Sequence, residues 1–245
     1  LHKAHGVVRL WSNQETWNDW TYTRDKTVAT WCVANGVAWA QPPQNGVVRC
    51  LTNRDGWAAQ WAQRMTAQQL KVSPIGPAIQ ATFPIPHASD LGLCNDGIGN
   101  RQLGGFNHAE ATLNEFLTKR GRPYTKAMSS PVTAFDACSR LSAHLAFGTL
   151  SIRYVYQRAQ ARKNEIDAMP PSNEKKEWRS AMRSFLGRLR WHCHFIQKLE
   201  DEPSLESMAL HPMMRDLDPL PLNEESLHAW ANGTTGFPMV DACMR

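Results

Sequence analysis

The sequence predicts a two-domain α+β chain, in which a partial α/β layer precedes an all-α region. Strand-like and helix-like segments alternate over residues 6–39, which is the signature of a parallel α/β layer. Residues 71–107 are rich in proline and glycine and have no periodicity. No strand-like alternation appears after residue 107.

Taken in order, Gly6 to Trp11 is short, apolar and β-branched, and reads as a strand. Asn18 or Asp19 offers an N-cap to a helix whose apolar positions Tyr22, Val28, Ala29, Trp31, Cys32 and Val33 fit a 3.6-residue period loosely. Asn35-Gly36 stops that helix, and Val37 to Ala40 restarts as a strand before Pro42-Pro43. One such unit cannot bury both faces of a sheet, so this segment reads as the tail of a larger one. Residues 53–70 form a helix with Asp55 near its start and a stripe of Trp57, Trp61 and Met65. Residues 71–107 are read as an inter-domain linker. Helices then follow over His108 to Arg120, Ser139 to Leu145, Ser151 to Lys163, Lys175 to Leu199 and Glu224 to Ala231. In the first of these Ala109, Leu113, Phe116 and Leu117 face inward, and a further helix starts near Pro238.

The chain has 245 residues, a net charge of +5 and a globular share of apolar residues. No run approaches the length of a membrane span, and no apolar h-region follows the first residues. The six cysteines are scattered without a C-x-x-C pair, which excludes a zinc ribbon or a disulfide scaffold and points to reduced cytoplasmic thiols. Ten tryptophans are unusual, and core packing accounts for most of them. The absence of an initiator Met leads us to expect a chain that begins partway into something longer.

Three constellations carry chemistry. Tyr124 precedes Cys138-Ser139-Arg140-Leu141-Ser142 and Phe147 to Ser151. Hydroxyls and free amides at a helix start suit a phosphate; equally, Ser139 and Ser142 serve as caps while Arg140 pairs with a carboxylate. The second runs from Trp178-Arg179 through Arg183 to Phe185 and Phe195, with no acid between Arg179 and Arg190. Such a helix either follows a phosphate backbone with Trp191 as a stacking platform, or is an amphipathic helix with solvated arginines. His192-Cys193-His194 is not a metal site, because consecutive helical side chains point about 100° apart. The third, Trp230 to Arg245, is a helix, a glycine turn and a new helix.

In this order the three blocks resemble the photolyase/cryptochrome family. The resemblance rests on Ser139-Arg140-Leu141-Ser142 with Gly148, Leu150 and Ser151, on the Trp191 helix, and above all on Trp230-x2-Gly-x-Thr-Gly-Phe-Pro-x-Val-Asp-Ala-x-Met-Arg. It implies a partial Rossmann-like antenna domain at 1–70, a linker at 71–107 and a helical FAD-binding domain at 108–245. It further implies FAD-dependent, light-driven repair of pyrimidine dimers in DNA, by electron transfer from reduced flavin to a flipped-out lesion. The alternatives are a cryptochrome-type photoreceptor on the same fold and a helical domain without flavin.

Carried over residue by residue, Tyr124 and Cys138 to Ser142 contact the flavin phosphates, with Cys138 standing where a Thr is usual. Phe185, Arg188 and His192 complete the cofactor set. Arg188 replaces a Glu or Gln beside dimer and flavin, and His192 replaces an Arg. Trp191 stacks on the lesion and, with Arg188, forms the catalytic pair. Arg179, Arg183 and the run Arg188, Leu189, Arg190, Trp191, His192, Cys193, His194 and Phe195 form the DNA face. The outer tryptophan of the family's photoreduction chain aligns near Leu220, and the inner two fall after Arg245. The resemblance therefore implies a piece cut at both ends, whose activity alone is in doubt. It allows a second antenna chromophore, with damaged DNA as partner to a cytoplasmic monomer.

Overall fold

The computed structural model describes residues 2–70, 86–94, 97, 99, 101–215, 221 and 223–245. Much of the expected linker, including 71–85, and the Leu220 position lie outside the described residues. The chain divides into two compact units, Leu1–Pro203 and Ser204–Arg245. The scheme of 1–70, 71–107 and 108–245 rests on composition and on the family resemblance.

In the first unit a short helix α1 (His2–His5) leads to β1 (Arg9–Trp11), α2 (Asp19–Ala34) and β2 (Ala38–Ala40). The strands are parallel, with Arg9 opposite Ala38 and Trp11 opposite Ala40, and an isolated bridge joins Gln14 to Pro43. Asn18 caps α2 by accepting from the Thr21 amide at 3.1 Å. The inward face of α2 is Thr21, Asp25 and Cys32, whereas Trp31 and Val33 are exposed. The loose period foreshadowed this, because the polar Thr21 and Asp25 take the places that apolar residues would hold. Asp25 is buried against the guanidinium of Arg49 at 3.0 Å and beside Arg24 at 2.8 Å. Among the described residues the sheet has two strands, so a larger Rossmann-like layer is not observed.

The core lies where α3 (Trp57–Thr66), α8 (Ile152–Ala168) and α9 (Asn173–Asp201) meet. The stripe of Trp57, Trp61 and Met65 is buried, as its spacing predicts. The loop before α3 is clipped to α9 by Gln197, which is fully buried and both accepts from the Val48 amide at 2.7 Å and donates to its carbonyl at 2.9 Å. Gly46 approaches the Trp61 indole so closely that a Cβ there would collide with the ring.

α4 (Phe106–Glu115) passes at Phe116–Arg120 into one wider π turn, where a straight helix to Arg120 is expected. The widening ends at Gly121, whose missing Cβ leaves room for the Phe116 carbonyl. It also sends Arg120 to the carbonyls of Cys138 and Ser139. The short helices α5 (Tyr124–Ala127), α6 (Ala134–Ala137) and α7 (Ser142–Ala146) follow.

The second unit holds α10 (Glu224–Ala231) and α11 (Pro238–Met244) around a self-braced turn. Asp241 accepts from the Thr235 amide at 2.8 Å, the Thr235 hydroxyl at 2.6 Å and the Gly236 amide at 3.1 Å. The Thr235 hydroxyl leads in holding the Asp241 carboxyl below the usual aspartate range. Arg245 donates to the Gly233 carbonyl at 2.9 Å, and Gly233 sits at φ 62°. The fixed positions of the Trp230–Arg245 block thus have a structural reason: they hold the corner between two helices.

Candidate functional site

Most of the candidate residues stand on α9, which carries two surfaces. Trp178, Met182, Phe185, Leu189 and Cys193 recur at helical spacing and are buried. Arg183, Arg188, Arg190, Trp191, His192 and Phe195 are exposed. The expectation that Leu189 and Cys193 face DNA is therefore corrected. Leu189 packs in the core, and the Cys193 thiol accepts from the Gly46 amide at 3.4 Å, with burial pushing its pKa up. Phe185, expected at the cofactor, is a packing residue, buried 4.7 Å from the Phe116 ring and 6.2 Å from Tyr124. Arg179 is corrected too, since it pairs with Asp167 at 2.8 Å while Lys163 takes the other oxygen of that carboxylate. Among the described residues Arg183, Arg188 and Arg190 have no ion-pair partner. These three are the arginines of α9 without a carboxylate partner, and Lys175, Lys176 and Lys198 of the same helix likewise form no ion pair among the described residues.

Trp191 is half exposed, and the Arg188 guanidinium lies over its ring at 4.8 Å from the centroid. Phe195 meets Trp191 edge-on at 6.1 Å and His194 at 5.5 Å, and His194 lies 6.1 Å from Trp57. Together with Arg190 these side chains line a cleft of about 310 Å³. Behind it Arg54 donates to His194 Nδ1 at 3.1 Å, covers the Trp57 ring at 5.2 Å, and pairs with Asp201 at 3.4 Å. Desolvation, then the charges of Arg54 and Lys198, draws the His194 pKa below the usual imidazole value. Sequence reasoning placed Trp57 in the core and gave Arg54 no role; only the fold brings them to α9.

The expected phosphate turn is formed differently from a capped helix start. Cys138 is extended, Arg140 is left-handed at φ 60°, and α7 begins at Ser142 with no side-chain cap. Ser139 and Ser142 therefore do not act as caps. Arg140 lies 3.9 Å from the Phe135 ring centroid and, among the described residues, pairs with no carboxylate. Arg120 holds the carbonyls of Cys138 and Ser139, and Gln102 holds that of Arg140 at 2.7 Å. Among the described bonds the amides of Ser139, Arg140 and Leu141 donate to no carbonyl. A turn with engaged acceptors and free donors fits an anion such as a phosphate. Tyr124 is buried in the core, and this burial leads in raising its pKa, with Cys138 adding to it and Arg188 opposing it.

His192 lines a separate cleft of about 450 Å³, with Trp17, Asn45, Leu145, Ser151 and Arg153 among its walls. Solvent reaches the ring, yet protein surrounds it, and this desolvation lowers its pKa. Tyr124 thus packs with Phe185 and Phe116, no hydrogen bond among the described residues ties it to the Cys138–Ser142 turn, and His192 lies in a cleft of its own.

Residues 185–245 match the family described as the FAD binding domain of DNA photolyase. A deoxyribodipyrimidine photo-lyase of Halobacterium salinarum is 30% identical over 172 residues, covering 69% of this chain and 33% of that protein. Cryptochrome-2 of Gallus gallus is 28% identical over 167 residues, covering 66% and 27%. A bacterial class III photolyase from Agrobacterium tumefaciens superposes with a TM-score of 0.74 at 18% identity, over 100% of this chain and 51% of that one. That likeness concerns the fold. The chain belongs to the photolyase/cryptochrome family, and it spans about a third or less of the length of these curated relatives.

Proposed function

We propose that the full-length protein is a FAD-dependent, light-driven lyase that repairs pyrimidine dimers in DNA. The observation that supports this best is the surface of α9, where a half-exposed Trp191 stands among three arginines without acidic partners. Arg183 and Arg190 would follow the phosphate backbone, and Trp191 would stack on the extruded lesion. Arg188, a permanent donor, would bond a thymine carbonyl. Tyr124 and the Cys138–Ser142 turn would hold the FAD phosphates, while Arg120 and Gln102 keep the carbonyls of the turn away from that anion. When bound, FAD supplies the light-driven electron donation. We read β1, α2 and β2 as the remainder of a Rossmann-like antenna domain, and assign any second chromophore to the 450 Å³ cleft. The partner is damaged DNA and the protein a cytoplasmic monomer; no helix among the described residues is long and apolar enough to cross a membrane.

One observation favours a cryptochrome-type photoreceptor instead: Arg188 lies over the ring on which a base would stack. Binding to dimer-containing and intact DNA tests between the two. Trp191→Ala should weaken lesion binding more than intact binding, since stacking is worth about 1–3 kcal/mol per base. Equal losses on both DNAs would remove the stacking role.

A further inference from the structure

The cleft beside Trp191 does more than expose one ring. Trp57, Trp191, His194 and Phe195 give it aromatic walls, and Arg190 gives it a cation. Because Arg54 can only donate, His194 must accept at Nδ1, and its neutral ring then carries its proton on Nε2. The wall therefore pairs apolar ring faces with an imidazole whose hydrogen-bonding state is fixed. Phe195 is 58% exposed although it is a large apolar side chain. The net charge around it is positive: Asp201 is paired with Arg54, whereas Arg183, Arg188 and Arg190 lack acidic partners among the described residues.

We infer that this cleft takes an undamaged, unstacked nucleobase of single-stranded DNA, with the Phe195 and Trp191 rings as contacts and Arg190 on the adjoining phosphate. Flat walls accept any base, since every base has a π face, and a base carbonyl suits the donor on His194. The arginines favour a polyanion over a neutral aromatic peptide. The inference rests on the DNA-binding reading of α9 and extends it to the undamaged strand and to Trp57, a residue outside the expected DNA face.

The test uses the protein in the dark, with oligothymidylate carrying one 2-aminopurine as fluorescent base. Binding should quench the 2-aminopurine, and an oligomer with an abasic residue in that place should bind about ten-fold more weakly, which is about 1.4 kcal/mol. Phe195→Ala should weaken the base-containing oligomer by a similar factor and leave the abasic one unchanged, and Phe195→Tyr should restore it. The exposure of Phe195 keeps these substitutions out of the core. Equal affinity for both oligomers overturns the inference, and so does a Phe195→Ala variant that binds as before. Competition by a neutral tryptophan-bearing peptide at the oligomer's own concentration also overturns it. Repair of dimers without base-dependent binding of undamaged strands would sink this inference alone; the converse would sink the repair function alone.

Discussion

Arg179 and Arg183 lie one turn apart on α9, yet their surroundings assign them different work. Arg179 is held by Asp167 at 2.8 Å, whereas Arg183 has no ion-pair partner among the described residues. Arg183→Ala should therefore reduce the dependence of log affinity on log salt by about one phosphate, roughly 0.7–0.9 in slope. Arg179→Ala should leave that slope close to the parent value. A titration over 50–200 mM salt with both variants reads this directly, and reversed slopes would contradict the assignment. Asp25 carries a second prediction. Burial raises its pKa, but the donors of Arg24 and Arg49 outweigh this and hold the carboxyl below the usual range. A depressed carboxyl contributes stability above its unfolded value, about 3.9, and loses it as pH falls through the lower folded value. Urea denaturation should show Asp25→Asn less stable than the parent at pH 7, with the gap closing below about pH 4. A gap that stays constant with pH would exclude the ion pair as its cause.

At the scale of elements, the clip between α9 and the loop before α3 is the contact most open to test. Gln197→Leu would leave both the amide and the carbonyl of Val48 without partners in a buried place, at about 1–3 kcal/mol for each group. A drop in the urea midpoint at unchanged slope is the expected reading, and an unaltered midpoint would show that the loop is held by other means. The long elements were legible in sequence. α9 is expected from Lys175 to Leu199 and is seen over Asn173–Asp201, because its apolar period is strong and proline bounds it. The stripe of α3 was equally plain. Shorter features were hidden for local reasons. α5 and α6 have four residues each and are held by tertiary contacts, leaving too few turns for a period to show. The expected helix at Ser139 starts three residues late because Arg140 takes a left-handed conformation that no residue type announced. The π turn at Phe116–Arg120 depends on Gly121 and on the reach of Arg120 to a distant turn.

For the whole molecule, the sequence motifs pointed to the family, and the structure decides which of their residues are free to act. Arg188, Trp191, Ser139 and Arg140 remain accessible, while Tyr124, Leu141, Leu189, Cys193 and Phe185 are buried in packing. The 3.6-residue period through Trp178, Met182, Phe185, Leu189 and Cys193 marks the buried face of α9, and α3, α8 and the loop at Gly46 are what cover it. The central claim is light-driven repair by the full-length protein, and the direct measurement is the yield of restored thymines from dimer-containing DNA under blue light. The flavin-loaded protein should restore thymines on illumination and none in the dark, and Trp191→Ala should lower the yield at limiting DNA. Flavin-loaded protein that binds DNA but leaves every dimer intact under light would contradict repair.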